Sequence, residues 1–302
     1  MLFFSPKNTV TKYWTKHNVT NHHSFSSVDD SLGFLDWRNK CYLYYDELMP
    51  TNGADGITVL DYGCGPGHDL VGFALNSIPA RLVAADVSKT SIREAKNRLS
   101  LHQRKAEFID LSEMETGVLP LEDSSVDLIH SSGVLHHIED PSPVLQEFRR
   151  IIKPGGRIQI MVYNYDSIWV HLYVAYELMI NDGSFKNSML RKLGLKKYPK
   201  NLKEAFRGST DGANCPISRF YKRSEFLDIL LKAGFSGIYK GASISNWMEM
   251  SRLNNRFAAL MDRRLPKEHR DFLYNLSFDK KGAPIYEGYV AGIGACYEAT
   301  PL

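Results

Sequence analysis

The chain has 302 residues, 43% of them hydrophobic, enough for one large domain with a core or for one domain plus a cap. Its 37 Lys and Arg against 34 Asp and Glu leave a net charge of +3, so charge makes no case for a nucleic-acid or acidic-membrane partner. The four cysteines, Cys41, Cys64, Cys215 and Cys296, are far apart and form no CxxC pair, so neither a zinc site nor a disulfide framework is suggested, and free thiols in a reducing compartment are expected.

The first residues, MLFFSPKNTV, carry no basic n-region, and the apolar run over 168–180 is too short to span a bilayer. A cytoplasmic protein with no membrane partner is expected. In chain order, residues 1–50 read as a helical, aromatic cap. From residue 57 short β-branched runs alternate with helical patterns, the signature of a parallel sheet with crossover helices. Strands are predicted at 57–61 (ITVLD), 81–86 (RLVAAD), 107–110, 126–131 (VDLIHS) and 157–163. Helices are predicted at about 69–77, after the N-cap Ser88, and from Ser142-Pro143. Residues 167–180 read as a helix apolar on all sides, hence buried. Residues 181–203 read as a basic, solvated loop. Ser224 is expected to cap a helix ended by Gly234, followed by a strand near 238–244. Helices at about 252–264 and 267–276 and a last strand over 289–297 complete the chain.

The segment DYGCGPGHDL follows the first strand. A strand ending in an acid, then a glycine turn opening a helix, is a nucleotide-type site, because glycines let backbone approach a ligand and adopt positive φ. His68-Asp69-Leu70 is not the GK(S/T) of a phosphate loop, and His68 stands where a dinucleotide fingerprint needs glycine. The pattern present is Asp61, Gly63, Gly65, Gly67. Nineteen residues after Gly67, Asp86 ends the second strand, where a carboxylate can accept from both ribose hydroxyls.

With VLDYGCGPG, AADVS, LPLEDSSVDLIHSSGVLHHIEDP and EFRRIIKPGGRIQI in order, the chain resembles the class I S-adenosylmethionine-dependent methyltransferases over 57–163. It is most similar to the small-molecule branch that includes the ubiquinone and menaquinone methyltransferases. The resemblance implies that Asp61 and the turn Gly63–Gly67 border the methionine part of the cofactor, S-adenosyl-L-methionine. Asp86 would hold the ribose and Val87 would lie against the adenine. Asp110 and Leu111 would contact the adenine amine, although the connection after Asp110 is longer than in those relatives. Ser131 and Ser132 would sit beside the methyl group. HSSG replaces the (N/D)PP(Y/F) of base methylases, so nucleic acid is not an expected acceptor, and no metal is expected.

Ligands in open α/β sheets gather beyond the carboxyl ends of the strands. That places His136-His137, YNYDSIW (163–169) and TDGANCPISRFY (210–221) near the acceptor. His136 is a candidate base, though the dipeptide also reads as a packing element. Tyr163 and Asp166 are candidates to position an acceptor. Arg219 is a candidate carboxylate clamp on a lid, with a salt bridge as its other reading. The expected architecture is a Rossmann-like, doubly wound, mostly parallel seven-stranded sheet. The core is 51–166 and 224–302, with a helical insert at about 245–285, and 167–223 forms an inserted lid. The expected function is methyl transfer to a small polar metabolite, a carboxylate-bearing amine or thioether. O-methylation of a sugar or hydroxy acid with a histidine base, or a non-catalytic cofactor-binding subunit, are the alternatives. Monomer and homodimer remain equally open.

Overall fold

The computed structural model describes residues 7–18, 20, 23–114, 117–181 and 201–302. The basic segment 181–203 therefore lies outside the described residues except at its ends.

The strands are β1 (Tyr42–Leu43), β2 (Thr58–Tyr62), β3 (Arg81–Asp86), β4 (Glu107–Asp110), β5 (Val126–Ser132), β6 (Ile152–Asn164), β7 (Phe220–Tyr221) and β8 (Phe235–Ser245). A small second sheet holds β9 (Ser277–Phe278), β10 (Pro284–Tyr286) and β11 (Tyr289–Val290), and β12 (Gly294–Pro301) returns to the main sheet. The main sheet runs β1-β8-β12-β6-β5-β2-β3-β4, with β7 beside β6. Strands β4, β3, β2, β5 and β6 are parallel. Strand β12 enters antiparallel between β6 and β8. Apart from the two-residue strands β1 and β7, this is the Rossmann-like, mostly parallel sheet that the sequence predicts.

Helices cover both faces because each carries one apolar stripe. On one face, Leu145, Phe148 and Ile151 of α6 (Ser142–Ile151) join Phe226 and Leu230 of a later helix, Arg223–Lys232. On the other, Leu70 and Phe73 of α4 (His68–Asn76) meet Ala95 and Leu99 of α5 (Lys89–Leu101). Ser88 caps α5, its hydroxyl accepting from the Ser91 N–H.

Of the N-terminal helices, α1 (Lys7–Lys16) and α2 (Val28–Cys41) border the cavity described below, and α3 (Tyr45–Leu48) packs on β8. Arg98 of α5 ties α2 down. Its fully buried guanidinium donates to the Ser31 hydroxyl and carbonyl at 2.8 Å each and to His68 Nδ1 at 2.7 Å.

Four local expectations are corrected. The all-round apolar helix is a π-helix over Trp169–Leu178, shown by i→i−5 bonds from Met179 N–H to Val174 O and Asn181 N–H to Tyr176 O. The helix assigned to a Ser224 cap starts at Arg223, with Lys222 as N-cap. The helix expected over 252–264 is a 3-10 turn, Met250–Asn255, followed by Arg256–Met261. The last strand is split, because β11 pairs with β10 while β12 crosses to β6 and β8. No helix among the described residues is long and apolar enough to cross a membrane.

Candidate active site

A cavity of about 750 Å³ opens along the carboxyl edge of the sheet. The ends of β2 and β3 supply one part of its wall. The ends of β6 and β8 and the start of antiparallel β12 supply another, and α1, α2 and the 210–214 turn close over it.

On the β2–β3 side, Gly63, Gly65 and Gly67 have φ of +81°, +51° and +81°, as the turn requires. Their uses differ. A Cβ at Gly63 would lie 2.1 Å from Val134 Cγ2, and one at Gly67 3.1 Å from Ala95 Cβ, so these two glycines serve packing. A Cβ at Gly65 would meet nothing within 4 Å, and Gly65 borders the cavity, so its missing side chain leaves room for a ligand. Gly63→Ala is expected to cost about 2–4 kcal/mol of stability through clash and strain. Gly65→Ala should leave the thermal midpoint within a few degrees but weaken cofactor binding. Thermal melts beside calorimetry with S-adenosylhomocysteine separate the two.

Asp86, 8% exposed, accepts from the Gly65 N–H and the Ser88 N–H at 2.8 Å each. A carboxylate has about four acceptor positions, so two remain for ribose hydroxyls. Val87 and Leu111 border the cavity beside it. Asp110 does not. Its Oδ1 caps the short turn after β4, accepting from the N–H and hydroxyl of Ser112 at 2.9 and 2.5 Å.

Asp61 and Arg38 form a complementary pair of unsatisfied groups. Asp61 Oδ2 and Arg38 Nε are both buried without a hydrogen-bond partner, and both residues border the cavity. A zwitterionic amino-acid group, offering an ammonium to Asp61 and a carboxylate to Arg38, would satisfy both. Arg38 also lies 2.5 Å from Asp69 Oδ1. Tyr45's hydroxyl is 2.8 Å from Asp69 Oδ2 and 2.7 Å from Ser132 Oγ. Burial drives the Asp69 carboxyl upward, but Arg38 and His130 outweigh it and hold Asp69 well below the usual carboxylate range. Ser132 borders the cavity, while Ser131 is buried behind it, because successive strand residues face opposite ways. The glycine turn, the ribose-ready Asp86 and the Asp61–Arg38 pair together fit S-adenosylmethionine, whose sulfonium supplies an electrophilic methyl group.

On the β6–β8 side the histidine expectation shifts by one residue. His136 is fully buried, stacks on Tyr163 with ring centroids 3.7 Å apart, and does not border the cavity. Burial pushes its imidazole well below the usual histidine range. His137, on the same 3-10 turn, does border the cavity. Its Nδ1 lies 2.7 Å from the Ile217 carbonyl and must donate, which leaves Nε2 as an acceptor 3.7 Å from Asp211 Oδ1.

Asp211 docks the 210–221 segment on the core. Tyr163 donates to Oδ1 at 2.8 Å, Ser218 donates to Oδ2 at 2.5 Å, and the Tyr13 hydroxyl donates to the Asp211 carbonyl. Cys215 completes a group with His137 and Asp211 whose ligating atoms lie within 4.8 Å of one another, a donor set of the kind that takes a divalent ion. Each member already has a protein partner, since the Cys215 thiol donates to the Ile217 carbonyl at 3.2 Å. Of the other expected residues, Tyr163 borders the cavity. Asp166 lies instead at a small separate pocket with Arg223 and Glu287. Arg219 is exposed and outside the cavity, its N–H bonded to the His136 carbonyl, so the clamp expected of it does not form there.

Glu249, Arg38 and Asp211's docking role are not prominent in the sequence. Glu249 is 1% exposed and borders the cavity just past β8. Burial raises its carboxyl to about 8, against the Ser245, Ile293 and Trp169 N–H groups. Burial likewise raises Asp61 to about 7 and Asp86 to about 6.

A buried acid with a raised value keeps a proton that the unfolded chain has released, so its stabilisation is lost as pH rises from near 4 to the folded value. The buried histidines with lowered values, His68, His136, His137 and His171, act oppositely, but only below about 6.5. His130, whose value is raised, adds to the acids' trend. The ligand-free protein is therefore expected to melt at lower temperature at pH 8.5 than at pH 7. Glu249→Gln should flatten that slope, which differential scanning calorimetry across the range can check.

The fold is that of a Rossmann-like methyltransferase domain, and the residues of the site fit S-adenosylmethionine. Residues 54–213 match the model of a methyltransferase-domain family. The chain belongs to that family. It is 30% identical over 175 residues to an uncharacterised 37.1-kDa protein in transposon TN4556 of Streptomyces fradiae, covering 55% of this chain and 50% of that one. It is 32% identical over 109 residues to the demethylmenaquinone methyltransferase of Clavibacter sepedonicus, covering 36% and 42%. The chain thus spans half or less of the curated relatives it matches. Among solved structures, the geranyl diphosphate C-methyltransferase of Streptomyces coelicolor, bound to Mg²⁺, geranyl diphosphate and S-adenosylhomocysteine, superposes over 100% of both chains with a TM-score of 0.51 at 12% identity. That likeness is one of fold.

Proposed function

We propose that this protein transfers the methyl group of S-adenosylmethionine to a nitrogen or sulfur of a small polar metabolite. One observation supports the reading most. The cavity that holds the Asp86 and Asp61–Arg38 cradle continues along the sheet edge into a chamber bordered by Tyr42, Tyr163, Trp169, Asp211 and Glu249. Rings there can stabilise positive charge on the cofactor and on a cationic product. In-line displacement on an activated carbon first needs alignment and a dry site, which closure of the docked 210–221 segment over the cavity would supply. Arg38 is the only Lys or Arg among the described residues bordering the cavity, and Asp69 together with the cofactor's own carboxylate would occupy it, so an acceptor carboxylate finds no free cation. A relative is named for demethylmenaquinone and a protein of like fold for geranyl diphosphate, acceptors too unlike each other to transfer.

The test is a single-turnover screen of amines, thioethers and alcohols with methyl-labelled cofactor. Label on nitrogen or sulfur is expected, and transfer only to hydroxyls would defeat the proposal. O-methylation stands as a second reading because the His137 Nε2 lone pair is placed to take a hydroxyl proton. Under that reading His137→Gln lowers kcat by about 100-fold or more. Under N- or S-transfer it changes kcat by less than about tenfold.

A further inference from the structure

Glu249 carries the strongest unassigned feature of the chamber. It lies in the turn after β8, four residues past Ser245, whose N–H donates to Oε2 at 2.8 Å. Oε1 is buried and makes no hydrogen bond of ordinary geometry among the described residues, although the Ile293 and Trp169 backbone N–H groups lie near the carboxyl. No Lys or Arg among those residues borders the cavity except Arg38, which is engaged with Asp69. Asp211, the other acid of the chamber, is occupied by Tyr163 and Ser218.

A buried carboxyl oxygen without a full hydrogen bond is costly and a carboxylate without a counter-charge more so, so the empty site keeps Glu249 protonated near neutral pH, and a cation beside it would let it ionise. The missing complement is a positively charged hydrogen-bond donor small enough to enter beside Tyr42, Tyr163 and Trp169. A protonated amine supplies both charge and donors, and its carbon skeleton can pack on the rings. A carboxylate would instead face Glu249 and Asp211 with no cation to offset them.

We propose that Glu249 is the acceptor-recognition residue of this cavity, and that the acceptor is an amine held by Oε1 and lacking a carboxylate beside it. This rests on the methyltransferase reading above and narrows its substrate class.

The experiment is calorimetry on the full chain in three steps. S-adenosylhomocysteine is titrated first, into wild type and Glu249→Gln. Equal affinities are expected, and failure of the wild type to bind would overturn the methyltransferase reading and this proposal with it. Phenethylamine, 3-phenylpropanoate and 2-phenylethanol, matched in size, are then titrated into each complex. The wild type should prefer the amine over the acid and the alcohol, and Glu249→Gln should lose about tenfold or more of amine affinity alone. Equal amine binding by both proteins, or a wild type showing no preference for the amine, overturns the proposal. Glu249→Asp keeps a carboxyl group and is expected to keep the order of the three probes with weaker binding. If Glu249→Gln does not fold, a changed order in Glu249→Asp overturns the proposal.

Discussion

Replacing Asp86 by alanine is expected to weaken S-adenosylhomocysteine binding by about 100-fold or more. Hydrogen bonds to a charged group contribute about 1.5–3 kcal/mol each, and two ribose hydroxyls are at stake, which converts to roughly 10²- to 10⁴-fold. The carboxylate also anchors the glycine turn by accepting from the Gly65 N–H, so alanine loosens the cradle as well as removing the acceptor. Asp86→Asn keeps the shape but turns one acceptor into a donor, which would face the Ser88 N–H or the Gly65 N–H, whichever way the amide is turned. It should fall between wild type and alanine. Because burial already raises Asp86 to about 6, binding should also weaken as pH falls through 6, where the protonated acid accepts less well. Calorimetry at pH 5.5 and 7.5 measures both effects. Unchanged affinity in Asp86→Ala would move the ribose elsewhere.

The second large effect is expected from Asp211→Ala. One carboxylate receives Tyr163 from the core and Ser218 from the covering segment, and His137 stands 3.7 Å away. Removing it leaves two hydroxyl donors without acceptors and loosens the 210–218 part of the segment from Tyr163, while β7 stays paired with β6. Leaving a partly buried group unpaired costs about 1–3 kcal/mol at each hydroxyl. Much of that would appear as poor closure over the acceptor, lowering kcat/KM by about 100-fold. Asp86 and Asp61 are untouched, so S-adenosylhomocysteine affinity should change by only a few-fold. A variant that loses cofactor and acceptor binding together would show that Asp211 supports the whole fold instead.

What could be read from the sequence was local. The strand over 81–86, the Ser88 cap and the strand over 107–110 all follow from pattern and turn chemistry within a dozen residues, and the structure has them at the same positions. The glycine turn was legible for the same reason. The chamber was not, because its residues meet only through the sheet. Arg38 reaches Asp69 across 31 positions, and Tyr163 reaches Asp211 across 48. Glu249 becomes buried only because β8 runs beside β12, which brings residues 245 and 293 to one edge. Neighbouring residues were hard to separate for a simpler reason. One step along a 3-10 turn swings a side chain by about 120°, so HH in the sequence does not say which ring meets the cavity. One step along β5 reverses the face, and Ser131 and Ser132 part in the same way. Arg219 and Asp166 were placed near the acceptor by their position after strand ends. That locates an edge of the sheet but not a side of the chain.

The most direct measurement is a crystal structure of the protein with S-adenosylhomocysteine. The account predicts the ribose hydroxyls on Asp86, the amino-acid ammonium and carboxylate at Asp61 and Arg38, and the sulfur opening toward the chamber of Tyr163, Asp211 and Glu249. A ligand bound away from Asp86, or one whose sulfur is walled off from that chamber, would contradict it.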